Sequence, residues 1–283
     1  MTITDQELTT LAASHDIINL GMIADDVRRR RHGTRTTFVR VAEVPADLDA
    51  PIAASPSAGE VRIVGAPASR AAALDRLRQV ADAVHGIPLS AFSLADLEQL
   101  AAREGVTLRA LLEGLGAAGL ELVAEAPFDL LQDARRSIEE VNIAGLALAR
   151  LTIDRSSAPD PVPQLKQVAD VQRATGVVRA FAPLPRRPNP SVPTTGYDDI
   201  KRVALARIVA ENVPSIQVNW ALYGPKLAQV ALTVGADDVD AVSADDAAPL
   251  GVRRSALEEV RRNIRAAGQE PVERNGRFER ITA

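Results

Sequence analysis

The feature that most constrains this chain is an alternation of short β-rich runs with amphipathic helical segments. β-branched and apolar residues concentrate in eight runs, at 37–44, 61–65, 87–92, 120–125, 146–154, 177–184, 215–220 and 238–242. Apolar residues recur at helical spacing between most of these runs. Strands that alternate with helices pair in parallel through right-handed crossovers, and eight such units close into a barrel. The sequence of 283 residues therefore predicts an α/β fold, a TIM (β/α)8 barrel.

The segments before, within and after the barrel refine this prediction. The first crossover, 45–59, has no helical periodicity, so the first barrel helix is predicted to be irregular or missing. A C-terminal helix is predicted to start with a capping box of Ser255 and Glu258, and a hairpin to turn at Asn275. We expect one domain made of a helical cap (1–35), the barrel (36–250) and a helix and hairpin packed on it (251–283).

Composition excludes several classes of protein. A net charge of −4 gives no long-range attraction to phosphate backbones, so nucleic acid is not an expected partner. The basic run Arg28 to Arg31 is predicted to end a helix, because cations are favourable there and Gly33 supplies a left-handed stop. No apolar run approaches the roughly 20 residues that span a bilayer, and the N-terminus is polar. We therefore expect a cytoplasmic protein without a membrane partner.

Metal and thiol chemistry are also not expected. The sequence has no cysteine, which excludes disulfides, thiol nucleophiles and Cys-ligated metals. His15, His32 and His85 lie far apart, without the spacing of a metal motif. The last predicted strand and the residues on either side of it hold five aspartates, namely Asp237, Asp238, Asp240, Asp245 and Asp246. Their spacing is not that of an EF-hand loop, so we expect no metal site there.

Long phrases of the sequence resemble a known family. NVPSIQVNWALYGPKLAQVALTVGADDVDAV and LEEVRRNIRAAGQEPVERNGRFE resemble the C-terminal half of the radical SAM enzymes of the futalosine route to menaquinone, aminofutalosine synthase and dehypoxanthine futalosine cyclase. LGMIADDVRRRRHGTRTTFVRVAEV is similar to the entry helix and first strand of that family. The resemblance implies a TIM barrel with a CxxxCxxC loop after the first strand, which holds a [4Fe–4S] cluster that cleaves S-adenosylmethionine.

This sequence departs from the family at that loop. It has VAEVPADLDAPIAASPSAG there, and three thiolates are the minimum that such a cluster needs. We therefore expect no iron–sulfur cluster or other resident cofactor, and a homologue without radical chemistry. It would act in menaquinone biosynthesis as a pseudoenzyme, a partner subunit or a ligand-binding protein. The expected ligand is S-adenosylmethionine or a nucleoside, and the expected partner is a cysteine-containing radical SAM paralogue or another enzyme of the pathway.

The alternative is a non-radical enzyme, a transferase, lyase or hydrolase that acts on a futalosine-like nucleoside. Side chains at the C-terminal ends of barrel strands meet ligands in this fold. Glu43, Glu125 and Asp154 occupy such positions and are candidate catalytic acids or bases, although solvated loop acids or helix caps share this pattern. The candidate ligand-binding residues are Phe92, Thr194, Thr195, Tyr197, Asn219 and Trp220.

Two of these candidates have a structural alternative. Thr194 and Thr195 precede a predicted helix, whose N-terminal N–H groups favour an anion, but Thr195 and Asp198 are also a typical helix cap. Trp220 is the sole tryptophan, and its ring suits either stacking on a ligand or packing in the core.

Overall fold

A computed structural model of the chain describes residues 4–52, 54–155, 159–245 and 256–281. Two helices precede the first strand, as predicted: α1 (Asp5–Ala13) and α2 (Ile17–His32). The basic run forms the last turn of α2, and Gly33 ends the helix with a φ of 62°. Arg28 is buried there and binds Asp25 at 2.7 Å, which explains how one cation of this run is accommodated.

The predicted barrel is confirmed. Its strands are β1 (Arg35–Pro45), β2 (Glu60–Val64), β3 (Leu89–Ser93), β4 (Leu122–Pro127), β5 (Ala147–Leu148), β6 (Leu151–Ile153), β7 (Ala180–Pro185), β8 (Ser215–Asn219) and β9 (Asp238–Ser243). Neighbours along the chain pair in parallel, and β1 pairs with both β2 and β9, which closes the cylinder. The run predicted as one strand at 146–154 is split into β5 and β6, and both pair with β4.

Helices surround this cylinder. They are α3 (Arg70–Ala83), α4 (Leu94–Arg103), α5 (Leu108–Ala117), α6 (Ala134–Ile143), α7 (Val162–Thr175), α8 (Gly196–Val209), α9 (Trp220–Thr233) and α10 (Ala256–Ala266). One large apolar core lies between the helices and the outer face of the strands. Within the described residues, each helix is too short or too polar to cross a membrane.

The crossover from β1 to β2 contains no helix among its described residues, as predicted. Arg76 of α3 binds the start of this loop, since its Nε donates to the carbonyl oxygen of Pro45 at 2.9 Å. The guanidinium is 1% exposed, so it fills space beneath the loop. The loop at the end of β1 is therefore compact and held against α3.

The C-terminal segment joins the barrel in a way that the sequence did not predict. The turn at Asn275 forms, and Arg274 and Arg280 make an antiparallel bridge across it. The residues before the turn, however, form β10 (Glu270–Glu273), which pairs in parallel with the first half of β1. A parallel partner lies far away in sequence and leaves no local signal, whereas a turn does. Ser255 of the predicted capping box lies outside the described residues.

Candidate ligand site at the barrel mouth

The interior of the barrel is charged. Glu60 and Arg62 on β2, Arg150 between β5 and β6, and Asp240 on β9 are all at most 5% exposed. Arg62 donates from Nε to Glu60 at 2.9 Å and from Nη2 to Asp240 at 2.8 Å. Arg150 donates from Nη2 to Glu60 at 3.1 Å, and Ser90 donates to the same carboxylate at 2.6 Å. Two carboxylates and two guanidinium groups thus form one buried, electrically balanced network.

A second ion pair lies deeper in the barrel. Arg274, just after β10, donates to both carboxylate oxygens of Asp238, at 2.6 and 2.7 Å. Thr37 and Gln217 also donate to Asp238, at 2.5 and 2.6 Å. The Arg274 guanidinium lies 3.8 Å from the ring centre of Phe278, a cation–π contact. The Asp238 carboxylate therefore connects the C-terminal segment to the barrel interior, in addition to the pairing of β10 with β1.

The network shifts the titration of its acids. Burial by itself raises the pKa of Glu60, but the charges of Arg62 and Arg150 outweigh burial and lower the pKa from 4.5 to about 2. The pKa of Asp240 is also lowered, because Arg150 and Arg62 again outweigh burial. Both carboxylates are consequently ionised near neutral pH.

We expect this network to make the protein sensitive to acid. The folded pKa of Glu60 lies below the unfolded value, so its contribution to stability is complete above pH 4.5 and is lost as the pH falls from 4.5 to about 2. The loss should be on the order of 3 kcal/mol in the free energy of unfolding, measured by urea titration at each pH. Glu60→Gln should flatten this slope, while Glu139→Gln, on an exposed ion pair, should leave it unchanged. An unchanged slope in Glu60→Gln would contradict the assignment.

Two of the three candidate acids lie near Arg186 at the mouth of the barrel. Glu125, at the end of β4, accepts a hydrogen bond from Arg186, which follows β7. Glu43 is exposed near the end of β1, and its charge acts on Arg186. Burial, and then the nearby charge of Arg62, lowers the pKa of Arg186. Arg186 is therefore the cation that joins the rim acids to the interior network.

The third candidate acid lies in a separate cluster. Asp154 is 8% exposed and accepts from Nε and Nη2 of Arg187, at 2.7 and 2.5 Å. The backbone N–H of Asp154 donates to Asp129 at 2.7 Å. Asp154 is thus bound in a bidentate ion pair with Arg187. It does not line the small cavity inside the barrel.

A small cavity of about 10 Å³ lies below this rim. Strands β6, β7, β8 and β9 and the first turn of α9 enclose it, and its polar lining consists of Arg150, Thr152, Arg186, Gln217, Asn219, Tyr223 and Asp240. Three of these side chains carry a buried polar atom without a hydrogen-bond partner among the described residues: Nε of Arg150, Oγ1 of Thr152 and Oε1 of Gln217. Unsatisfied buried polar atoms are rare in proteins, so three around one cavity make it a candidate site for an ordered water or a ligand group.

The remaining candidate residues occupy different places. Asn219 lines the cavity, and its side chain also caps α9 by accepting from the N–H of Leu222. Phe92 is 2% exposed, and Trp220 packs against the core. Tyr197 donates to the carbonyl oxygen of His15 at 2.9 Å, outside the cavity.

The alternative of a helix cap is confirmed for the start of α8. Thr195 and Asp198 form a capping box, in which the Thr195 hydroxyl accepts from the Asp198 N–H and the Asp198 carboxylate accepts from the Thr195 N–H. Thr194 precedes this cap, is exposed and is not part of the cavity lining.

Most of the interior residues were not among the site residues predicted from the sequence. Glu60 and Arg62, Arg150 and Thr152, and Asp238 and Asp240 are pairs separated by one residue. Such spacing in a strand places both side chains on the same face. Polar residues at every second position of a barrel strand therefore indicate a polar barrel interior.

The residues after β1 do not fit the [4Fe–4S] cluster that the sequence resemblance implies. The sequence supplies no thiolate, and the side chains with oxygen donors in this loop, such as Asp47 and Ser55, are hard ligands that do not hold such a cluster. Arg76 places a cation against the same loop. Among the described residues, no group of three or more His, Asp or Glu side chains is arranged to hold a metal ion.

Comparison with solved structures defines the class of fold. The chain superposes on the crystal structure of methylornithine synthase (PylB) with a TM-score of 0.68, at 13% identity, over 96% of this chain and 94% of that one. At this identity the likeness concerns the fold alone. The protein is thus a (β/α)8 barrel of the type found in that enzyme, with a polar site at the mouth.

Comparison of sequences then gives the family. Residues 186–283 match the model of the CofH/MqnC C-terminal region. The chain is 24% identical to aminodeoxyfutalosine synthase of Thermus thermophilus, over 96% of this chain and 90% of that protein. It is 38% identical over 91 residues to aminodeoxyfutalosine synthase of Streptomyces coelicolor, covering 30% of this chain and 24% of that protein. The predicted resemblance is confirmed: the chain is related to the radical SAM enzymes of the futalosine pathway.

The alignment with the Thermus thermophilus enzyme also indicates a difference in length. It runs over 340 residues, although this chain has only 283. The alignment therefore contains gaps in this chain, which means that the relative has additional segments.

Proposed function

We propose that this protein is a cluster-less relative of the futalosine-pathway enzymes, which binds a small molecule of menaquinone biosynthesis in the cytoplasm without radical chemistry. One observation carries the proposal: the barrel and the CofH/MqnC C-terminal region are kept, while none of the 283 residues is a cysteine. A site-differentiated cluster needs three thiolates, so the radical step has no ligands in this chain.

The cavity favours ligand binding over a purely structural role. A subunit that only packs against a partner gains nothing from unsatisfied polar atoms in its interior, since each costs about 1 to 3 kcal/mol. Three such atoms surround the cavity below the barrel mouth. Residues kept at a cost to stability are typical of functional sites.

The ion pairs at the rim argue against acid–base catalysis by two of the candidate acids. Arg187 binds both carboxylate oxygens of Asp154, and Arg186 binds one oxygen of Glu125, so these ion pairs occupy oxygens that would otherwise face a substrate. Glu43 is the most exposed of the three, which makes it the candidate acid that remains for the alternative, a non-radical enzyme acting on a futalosine-like nucleoside. A cysteine-containing paralogue, as a partner, would supply the radical chemistry that this chain lacks.

A thermal-shift titration tests the proposal. The purified protein is titrated with aminodeoxyfutalosine, dehypoxanthine futalosine and S-adenosylmethionine, and one of them should raise Tm by several degrees at saturation. Arg78→Met, which alters an exposed ion pair, should respond as the parent protein does. The absence of a shift with all three compounds would contradict the proposal. Turnover that is abolished by alanine at Glu43, Glu125 or Asp154 would establish the alternative enzyme.

A further inference from the structure

We propose that an outer surface formed by α2 and α9 is the interface of a symmetric dimer, whose partner is a second copy of this chain. This surface consists of Ile18, Met22 and Asp26 on α2 and of Lys226 and Val230 on α9, and it is called the α2/α9 face. The proposal is independent of the ligand-binding function. It follows from apolar side chains that are exposed on this face and from the charges at its two ends.

The centre of the α2/α9 face is an exposed apolar pair. Ile18 is 75% exposed and Met22 is 65% exposed, the two highest values for large apolar residues within the described part of the chain. The two residues are four positions apart, so their side chains are neighbours on one face of α2. Together they place a continuous apolar surface in water.

Helix α9 extends this apolar surface. It touches α2 at Gly21, where an added Cβ atom would lie only 2.9 Å from Cγ1 of Val234. One turn before this contact lie Ile18 on α2 and Val230 on α9, and Val230 is 47% exposed. Ile18, Met22 and Val230 therefore flank the line along which the two helices meet. An apolar surface that spans two helices is typical of an interaction site.

The two helices run toward the same end of the barrel. α2 ends just before β1 begins and α9 just before β9 begins, and β1 and β9 are parallel neighbours. Lys226 lies one turn before Val230, on the side of the barrel mouth. Asp26 lies one turn after Met22, toward the opposite side. The α2/α9 face thus has a cation at one end and an anion at the other, on different helices.

Both of these charges are available to a partner. Lys226 and Asp26 are exposed, and neither forms an ion pair with another of the described residues. Arg29 also lies near Met22, but Asp25 binds it at 2.5 Å and balances its charge. Arg30 follows Asp26 by one turn and makes no ion pair with it. Asp26 therefore gives this end of the face an unpaired negative charge.

Such a face is complementary to a copy of itself. A two-fold axis through the centre of an interface exchanges its opposite ends, so each contact occurs twice. Lys226 then meets the partner's Asp26, and Met22 meets the partner's Val230. Apolar side chains cover apolar side chains, and an ion pair forms at either end. This match of charge is the reason to assign the face to a second copy of this chain.

Sedimentation velocity of the full chain, from about 1 to about 200 µM, tests the proposal. We expect a monomer–dimer equilibrium, with Kd at least about tenfold weaker in Met22→Glu because a carboxylate would enter the apolar centre. Ile143→Glu makes a similar change at an exposed apolar residue of α6 and should leave Kd unchanged.

Exchange of the end charges tests the symmetry itself. Lys226→Glu and Asp26→Lys should each weaken the dimer about three- to tenfold, because each places like charges together at both ends. The double variant restores opposite charges and should recover most of the affinity. A surface that binds through its apolar centre alone would show no such recovery.

Four results would overturn the proposal: a monomer at every concentration, a dimer that Met22→Glu leaves unchanged, no recovery in the double variant, or a monomer that uses this face to bind a cysteine-containing paralogue. None of them bears on the ligand titration described above, since the α2/α9 face lies on the outside of the barrel. Failure of that titration would likewise leave the dimer standing.

Discussion

Replacing Arg62 with methionine should lower the free energy of unfolding by about 3 to 5 kcal/mol. Arg62 binds both Glu60 and Asp240, and all three residues are almost completely buried. Methionine fills part of the volume but leaves two carboxylates with Arg150 as their remaining neighbour in the network. A buried charge that loses its partner costs far more than an exposed one, because water cannot replace the lost interaction.

The measurement is urea denaturation at neutral pH, with Arg78→Met as the matched control. Arg78 pairs with Asp75 at 3.3 Å, but both side chains are more than half exposed. The control should change the free energy of unfolding by less than about 0.5 kcal/mol. Equal effects of the two variants would show that the interior network contributes no more than a surface ion pair.

Replacing Arg274 with methionine should have the second-largest effect, a loss of about 3 kcal/mol in the free energy of unfolding. Arg274 is 1% exposed and binds both oxygens of Asp238, so its loss leaves a buried carboxylate with only the neutral donors Thr37 and Gln217 among the contacts described above. The variant should also loosen β10, since Arg274 follows that strand directly. Hydrogen exchange at the backbone amides of Glu270, Val272 and Glu273 should accelerate.

Arg277→Met is the control for this variant. Arg277 lies three residues further along the same segment and pairs with Glu121 at 2.6 Å on the exposed surface. Arg277→Met should change neither the free energy of unfolding nor the hydrogen exchange of the β10 amides by a measurable amount. Unchanged exchange in Arg274→Met would mean that the C-terminal segment is attached by its backbone pairing with β1 alone.

The two networks pair the charged side chains inside the barrel with one another. The interior of a TIM barrel is usually filled by branched apolar side chains. Here bidentate arginine–carboxylate contacts connect β2, β9 and the residue after β10. Such contacts have a strict geometry, so they fix the register of the strands as well as neutralising the charges.

The path of the chain could be predicted from the sequence because its signals are local. Periodicity located the strands and most helices, and the absence of helical spacing at 45–59 correctly predicted a crossover without a helix. The parallel pairing of β10 with β1 joins residues more than 200 positions apart and has no local signal. The strand break between β5 and β6 likewise depends on pairing with β4.

The candidate site was predicted only at its rim. Residues at the ends of strands were easy to identify, and Glu43, Glu125 and Asn219 do lie at the mouth. The ion pair with Arg186 limits the chemistry that is open to Glu125. This pair joins residues from β4 and from the end of β7, which are brought together only in the closed barrel. Gln217 and Thr152 lie within strands, where a sequence does not reveal which polar atoms remain unpaired.

Anaerobic reconstitution with iron and sulfide tests the central claim most directly, with the aminodeoxyfutalosine synthase of Thermus thermophilus treated in parallel. The iron content per chain and the formation of 5′-deoxyadenosine from S-adenosylmethionine under reducing conditions are measured on both proteins. We expect the present protein neither to take up a cluster nor to form this product. Stoichiometric iron together with 5′-deoxyadenosine formation by the present protein would contradict the account.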